Sequence, residues 1–147
     1  MNKQELILVR GIPGSGKSKA AERVVRTIGE NAVHLESSMY FKADDDYKFK
    51  STQIKESHSW CLRVAKAKLL EGKTVVVANT FTRMWEMEPF LTLASNMKIP
   101  TIVLKAVGTG KNKMGVPEGT IKHMTQRWED VPGERVLTEE LLKQLTE

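Results

Sequence analysis

The sequence has little of what disulfide-bonded and membrane-spanning proteins require. Its 147 residues include a single cysteine, Cys61, so no internal disulfide can form and the chain fits a reducing compartment. Cys61 falls on an apolar helical face, which favours packing over chemistry. Apolar runs stay well short of the roughly 20 residues that cross a bilayer, and the N-terminal MNKQELILV lacks the order of a signal peptide. We therefore expect a cytoplasmic protein with no membrane partner.

Repeats, low-complexity tracts and linkers are also absent, so we expect residues 1–147 to form a single domain. The composition is that of an ordinary globular protein, with 28% charged and 40% hydrophobic residues. Lysine and arginine number 23 against 18 acidic residues, and the segment from Thr101 to Trp128 holds five of these basic residues and a single acid, Glu118. This segment either contacts a phosphate-rich ligand or forms a solvated basic face.

The apolar pattern predicts alternating strands and helices. Short runs such as Leu6-Ile7-Leu8-Val9 are typical of buried parallel strands, whereas spacings of three and four predict amphipathic helices. The alternation predicts an α/β fold, a three-layer sandwich in which a short parallel sheet of about four strands is covered by helices on both faces. Ligands of such sheets bind beyond the carboxyl ends of the strands. The expected strands are 6–9, 32–35, 74–77 and 101–107, and the expected helices are 20–28, 52–71, 84–96, 117–128 and a short last helix capped by Thr138.

The stretch GIPGSGKS, residues 11–18, follows the first strand and opens the first helix. It matches GxxxxGK(S/T), the P-loop pattern, in which glycines let backbone N–H groups converge on phosphate oxygens at a helix N-terminus. Lys17 is expected to reach the β- and γ-phosphates, and the Ser18 hydroxyl is expected to ligate Mg²⁺. The sequence thus predicts a site for a nucleoside triphosphate, ATP or GTP. The predicted nucleotide-binding residues of this loop are Gly11, Pro13, Gly14, Ser15, Gly16, Lys17 and Ser18.

From residue 6 to about residue 129 the chain resembles the small P-loop kinases of the polynucleotide-kinase and zeta-toxin type, a family of AAA_33-type ATP-binding proteins. The likeness is carried by RGIPGSGKS, by MYF with an aspartate-rich segment and YKF, by SHSWCLRVAKAKLLEGKTVVVANTFTRMWEMEPF, and by KNKMGVPEGTIKHMTQRWE. The resemblance implies that the sheet holds ATP on the P-loop, that a basic lid supplies arginines to the transferred phosphate, and that a carboxylate after the second strand deprotonates the acceptor. It further implies transfer of the γ-phosphate to a hydroxyl of a nucleic acid end or a nucleotide.

The resemblance assigns site residues by position. Lys17 and Ser18 keep their roles, and Arg127 in QRWE occupies the place of a basic residue near the nucleotide, with a surface ion pair to neighbouring acids as the alternative. Asn79 and Thr80 end the third strand, where a polar pair either orients the acceptor or magnesium-bound water or forms a plain strand-end turn. The candidate catalytic residues are Lys17, Glu36, Ser38, Asn79 and Thr80.

The residues expected to act on the phosphate acceptor depart from the pattern of the family. Ser38 and Met39 occupy the places of paired carboxylates, and Ala78 replaces an aspartate that would support magnesium. A serine hydroxyl cannot act as a general base at neutral pH, and such a base contributes about 10² to 10⁴ in rate. The acceptor chemistry is therefore either rebuilt or abandoned. In the first case Glu36 is the best replacement base, with a solvated strand end as its alternative, whereas the aspartates 44–46 fit a solvated loop better than a catalytic role. In the second case the protein is a nucleotide-binding module acting through a protein or nucleic-acid partner.

Three further features contribute less to the assignment of the site. His34 and His58 fall on predicted packing positions of a strand and a helix. The glycine-rich GTGK, residues 108–111, lacks the full P-loop spacing and is expected to form a mobile loop. The segment 107–114 is short for a full lid arm, which again favours a reduced acceptor site.

Overall fold

The computed structural model describes residues 4–42, 53–107 and 116–144. Within these residues five strands form one parallel sheet flanked by helices, the α/β sandwich that the hydrophobic pattern predicts. The strands are β1 (Leu6–Arg10), β2 (Ala32–Leu35), β3 (Thr74–Asn79), β4 (Thr101–Lys105) and β5 (Arg135–Val136). The helices are α1 (Lys17–Ile28), α2 (Met39–Lys42), α3 (Ile54–Leu70), α4 (Met84–Asn96), α5 (Glu118–Gln126) and α6 (Glu139–Gln144).

The strand order is β2-β3-β1-β4-β5, and each neighbouring pair is parallel. β1 therefore lies at the centre, where Leu8 pairs in register with Val77 of β3 and Val103 of β4. Parallel strands place their carboxyl ends at one edge of the sheet. The segments that follow β1, β2 and β3, which carry the predicted motifs, consequently meet at that edge.

The two faces of the sheet are covered by different helices. Leu6 and Leu8 lie in a buried cluster with apolar side chains of α3 and α4. Ile7 and Val9 lie in a second cluster with Val24 of α1 and a leucine of α6. Successive strand residues point to opposite faces, so this one strand supplies both clusters. Burying a side chain such as Val24 contributes about 1.5–3 kcal/mol, and the predicted helix layers on both faces are confirmed.

Cys61 lies on α3 inside the first cluster, where its side chain is fully buried. Burial raises the pKa of its thiol to about 11. A thiol with that pKa stays protonated at neutral pH and is a poor nucleophile. The position therefore suits packing, as its place on an apolar helical face suggests.

Two short elements are additions to the predicted set. α2 is a single helical turn in a segment where the sequence shows no steady apolar period, and β5 pairs with Leu104 and Lys105 at the sheet edge, which raises the number of strands to five. Both residues of β5 are exposed, so they offer no alternating pattern that sequence analysis could detect. None of the helices in the described part of the chain combines the length and apolar composition of a membrane span.

Candidate functional site

The P-loop turns tightly from β1 into α1. Gly14 and Gly16 have φ angles of 89° and 85°, in the left-handed region that glycine adopts without a steric penalty. Gly16 is the N-cap of α1, and within the described residues no side chain caps it. The first N–H groups of a helix lack partners inside the helix, so they remain available to an anion. The loop thus has the backbone conformation that phosphate binding requires.

Gly11 and Ser15 pack against each other at the base of the loop. A Cβ on Gly11 would overlap the Ser15 hydroxyl, so the site accepts only glycine without rearrangement. The Gly11 N–H donates to the Thr80 carbonyl at 3.3 Å, which ties the loop to the end of β3. Ser15 Oγ is buried and bonds to no other described residue. Buried polar atoms normally have partners, so the loop fits a ligand that brings hydrogen-bonding oxygens, as a nucleotide phosphate does.

Lys17 is the first residue of α1 and lines the cavity beside the loop. Burial lowers the pKa of its ammonium group, and the nearby Glu36 carboxylate opposes that shift. A desolvated cation is stabilised by anionic partners. The environment of Lys17 therefore fits its predicted contact with the phosphates of a nucleotide.

Glu36 follows β2 and is held on both carboxylate oxygens. The Ser18 hydroxyl donates to its Oε1 at 2.9 Å, and His34 Nε2 lies 2.7 Å from its Oε2. Burial by itself would raise the pKa of this carboxyl, but the hydrogen bonds from His34 and Ser18 and the charge of Lys17 outweigh it. The pKa lies below its ordinary value, so Glu36 is ionised at neutral pH.

Ser18 and Glu36 together fit a magnesium ion. Mg²⁺ takes oxygen ligands and is usually held by one or two protein groups together with substrate phosphates and water. The adjacent hydroxyl and carboxylate of these two residues form such a donor set. No cluster of three or more His, Cys, Asp or Glu side chains occurs among the described residues, so an all-protein metal cage is not formed there.

Behind Glu36 a hydrogen-bonded network joins β2, β3 and α3. The Ser37 N–H donates to Asn79 Oδ1 at 2.9 Å, and Asn79 Nδ2 lies 3.9 Å from Cys61 Sγ. Ser37 Oγ lies 2.7 Å from Nδ1 of His58. Burial lowers the pKa of His58, and the charge of Glu86 opposes that shift only in part. The imidazole is therefore neutral at neutral pH.

A single cavity of about 150 Å³ is shared by these groups. Lys17 and Ser18 line it from the P-loop side of the sheet edge, and the apolar side chains of Phe41, Ile54 and Met124 line it from α2, α3 and α5. All five candidate catalytic residues contribute to its wall, since Glu36, Ser38, Asn79 and Thr80 line it together with Lys17. The structure thus brings these predicted residues together, and their chemical roles stay predictions.

The residues that depart from the family pattern lie at the same place. Ala78 is buried at the end of β3 and lines the cavity, and Met39 begins α2. Ser38 Oγ lies 3.5 Å from Glu36 Oε1, at the limit of a hydrogen bond. Of the described residues that line the cavity, Glu36 alone carries a carboxylate. The aspartates 44–46 and the segment 108–115 lie outside the described residues.

Arg127 follows α5, with its side chain partly exposed. Its guanidinium lies 3.9 Å from Glu86 Oε1, and its carbonyl accepts a hydrogen bond from Arg83 at 3.1 Å. A pair at that distance and exposure stabilises weakly, and Arg127 is not among the described residues that line the cavity beside the P-loop. Its predicted nucleotide contact stays a prediction.

Sequence analysis did not single out Arg10, although its buried side chain makes several hydrogen bonds, an ion pair and a ring contact. It ends β1, is fully buried, and donates to the Phe81 carbonyl at 3.0 and 2.7 Å and to the Glu129 carbonyl at 2.8 Å. It also pairs with Glu134 at 3.0 Å and lies 3.9 Å from the ring centre of Trp128. Arg10 therefore joins β1, the end of β3 and the segment after α5. A lone arginine before a glycine gives no sequence signal of such a role.

The family model AAA_33, described as an AAA domain, matches residues 6–107. The chain belongs to this family. Over 95 residues it is 35% identical to NEDD4-binding protein 2 of Homo sapiens. That stretch is 63% of the chain and 5% of the human protein, so the chain spans only a small fraction of the length of this relative.

Solved structures share the fold at low sequence identity. Kti12 of Chaetomium thermophilum, solved in complex with ADP-AlF3, has a TM-score of 0.68 and 16% identity over 96% of this chain and 95% of that chain. The APS kinase CysC of Mycobacterium tuberculosis, in complex with AMPPNP and APS, has a TM-score of 0.64 and 15% identity over 99% and 96%. A chain of the Pnkp1/Rnl/Hen1 RNA repair complex has a TM-score of 0.59 and 15% identity over 99% of this chain and 44% of its own length. The α/β P-loop kinase fold and the family are as the sequence predicts.

Proposed function

We propose that this protein binds a nucleoside triphosphate with Mg²⁺ and transfers the γ-phosphate to a hydroxyl of a nucleic acid end or a nucleotide. The observation that carries the proposal is the shared cavity, which Lys17 and Ser18 line together with residues of α2, α3 and α5. A binding site for phosphate alone would need only the P-loop. This cavity also reaches three further helices, where an acceptor beside the transferred phosphate would lie.

The residues around the P-loop supply what phosphoryl transfer needs, namely positioning and charge stabilisation. Backbone N–H groups of the loop and Lys17 would hold the phosphates, with Arg127 as a further cation near the nucleotide. Ser18 and Glu36 would hold Mg²⁺, which when bound neutralises charge on the phosphates. The apolar side chains of Phe41 and Ile54 would keep water from the transferred group and so favour transfer over hydrolysis.

The acceptor class is supported by the chemistry of structural neighbours. One neighbouring chain belongs to an RNA repair complex, and another is a kinase crystallised with AMPPNP and APS. On these grounds we take a nucleotide or a nucleic acid as the acceptor class that this fold favours. We propose the same class of acceptor here, with residues 1–147 acting as one domain in the cytoplasm.

Transfer is tested by offering γ-labelled ATP or GTP with Mg²⁺ to 5′-hydroxyl oligonucleotides of DNA and RNA, to nucleosides and to nucleotides. Label should move to one of these acceptor classes, and the Lys17→Ala variant should abolish the transfer. Lys19→Ala, an exposed lysine on the same helix, is the matched control and should label normally. Wild-type protein that binds nucleotide but labels none of these acceptors would contradict the proposal.

A nucleotide-binding module without transfer is the second candidate, and one observation favours it. Among the described cavity residues Glu36 is the sole carboxylate, and both of its oxygens are engaged by Ser18 and His34. For this candidate, calorimetry should show magnesium-dependent nucleotide binding without turnover. Restoring carboxylates with Ser38→Asp and Ala78→Asp should then create transfer activity, whereas turnover by the wild-type protein would exclude the module.

A further inference from the structure

We propose that His58 is the group that takes the proton from the acceptor hydroxyl when the γ-phosphate is transferred. The proposal rests on the phosphotransferase function and names the base that this chain uses in place of the carboxylates missing at Ser38 and Met39. Sequence analysis favours a packing role for His58. The structure instead places its half-buried ring in the wall of the cavity beside Lys17 and Ser18.

The proposal follows first from what else can accept a proton in the cavity. Of the described residues that line it, three titrate: Lys17, Glu36 and His58. Lys17 is the phosphate-binding cation of the P-loop. Glu36 has one oxygen on the Ser18 hydroxyl and the other beside His34, and its pKa is lowered, so it is a weak base. His58 remains.

The ring of His58 is held in a defined orientation. Nδ1 lies 2.7 Å from Ser37 Oγ, and Ser37 is itself fixed by the hydrogen bond from its N–H to Asn79 Oδ1. When Nδ1–H donates to Ser37, the lone pair of the neutral ring lies on Nε2. This is the arrangement of a general base, in which one ring nitrogen is anchored and the other accepts the proton.

Burial, and not the charged groups around it, keeps the ring of His58 neutral. Burial lowers its pKa, and Glu86 on α4 is the charge that opposes this. Lys17 on α1 and Glu36 after β2 line the same cavity with opposite charges. Cys61, one turn along α3, has a thiol pKa of about 11 and stays uncharged. The imidazole is therefore unprotonated on one ring nitrogen at neutral pH, and that nitrogen can accept a proton during transfer.

The reaction step balances as follows. The acceptor oxygen forms a bond to the γ-phosphorus while the bond from that phosphorus to the β,γ-bridging oxygen breaks, and the nucleoside diphosphate leaves with that electron pair. The hydroxyl proton moves to Nε2 of His58, giving an imidazolium. The imidazolium returns its proton to water after the products leave.

The test compares His58→Asn with His123→Asn in single-turnover transfer measured across pH. Asparagine keeps an N–H donor for Ser37 but cannot accept a proton, and His123 is an exposed histidine of α5 outside the cavity wall. His58→Asn should lower the rate by about 10² to 10⁴, leave nucleotide affinity unchanged, and remove the loss of rate on acidification. His123→Asn should keep both the rate and the pH profile of the wild type. Added imidazole should restore part of the rate of His58→Ala.

The outcomes separate this proposal from the broader function. If the wild-type protein binds nucleotide and never transfers phosphate, the proposed phosphotransferase function and the role of His58 both fail. If it transfers phosphate and His58→Asn keeps the wild-type rate and profile, only the role of His58 fails. Should the variants not fold, the wild-type profile decides, because a transfer rate that does not fall as pH drops below the pKa of a histidine excludes His58. Loss of that pH dependence in Glu36→Gln but not in His58→Asn would assign the base to Glu36.

Discussion

The Ser18 hydroxyl donates a 2.9 Å hydrogen bond to the carboxylate of Glu36, and so joins the residue after the P-loop lysine to the residue after β2. The two positions come together because β1 and β2 both end at the same edge of the sheet, with β3 between them. The one carboxylate among the described cavity residues therefore lies next to the predicted magnesium ligand. The first two predictions follow from this arrangement.

Glu36→Gln should weaken magnesium binding in the presence of nucleotide by about 10- to 100-fold, the usual cost of removing a partner of a metal ligand. The amide keeps the size of the side chain but loses the charge that faces Ser18 and the cavity. Titration calorimetry with ATP at several magnesium concentrations measures the effect. Glu22→Gln, an exposed glutamate of α1, is the control. Equal magnesium dependence in both variants would remove Glu36 from the metal site.

Lys17→Ala should weaken ATP binding by about 10- to 100-fold, because hydrogen bonds between charged groups contribute about 1.5–3 kcal/mol. Its pKa is lowered by burial, so removal of this cation should also not destabilise the free protein. Calorimetry gives the affinity and thermal unfolding gives the stability. Lys19→Ala, a change at an exposed lysine of the same helix, is the control. Unchanged ATP affinity in Lys17→Ala would contradict the P-loop assignment.

Arg10→Met should lower the free energy of unfolding by about 3–5 kcal/mol, the cost of breaking a buried charged pair by removing one partner. Methionine fills the space of the arginine stem but leaves the Phe81 and Glu129 carbonyls without their donor. Chemical denaturation measures the change. Arg26→Met, exposed near the end of α1, should stay within about 0.5 kcal/mol of the wild type. A small loss at Arg10 would show that water replaces its hydrogen bonds.

The pKa of His58 predicts an acid-sensitive stability. Burial lowers the folded-state pKa below the ordinary value of 6.5, so between the two values the unfolded chain binds more protons than the folded one. Stability contributed at this site is therefore complete above the unfolded pKa and falls as pH drops through the unfolded pKa toward the lowered folded-state pKa. Denaturant unfolding at several pH values should show a shallower decline for His58→Asn than for His123→Asn. Identical slopes in both variants would place the acid sensitivity elsewhere.

The P-loop and the main strands could be predicted because their signals are local. The P-loop pattern lies entirely within the eight residues 11–18. The apolar runs of β1 and β3 indicate buried strands by their composition alone. All five candidate catalytic residues also converge on one cavity, since each lies in the P-loop, at the end of a strand or shortly after one. Position relative to strand ends is thus a reliable guide in a parallel sheet.

The contacts that the sequence could not predict join residues far apart in the chain. Ser37 and His58 are separated by 21 positions, and Arg10 and Glu129 by 119. Neither pair has a spacing that a helix or strand period would reveal. Their proximity depends on strand order and on how α3 and the segment after α5 pack, which is decided by the whole fold.

The anchoring of Glu129 and Trp128 by Arg10 has a consequence for the cavity beside α5. It fixes the polypeptide just beyond the C-terminal end of α5 to the central strand, so any tilting of this helix would pivot there. The displacement would grow toward Val116, the cavity-lining residue before the opposite end of α5. Substitutions intended to change the width of the proposed acceptor cavity should therefore begin at Val116, because the displacement is largest at that end of α5.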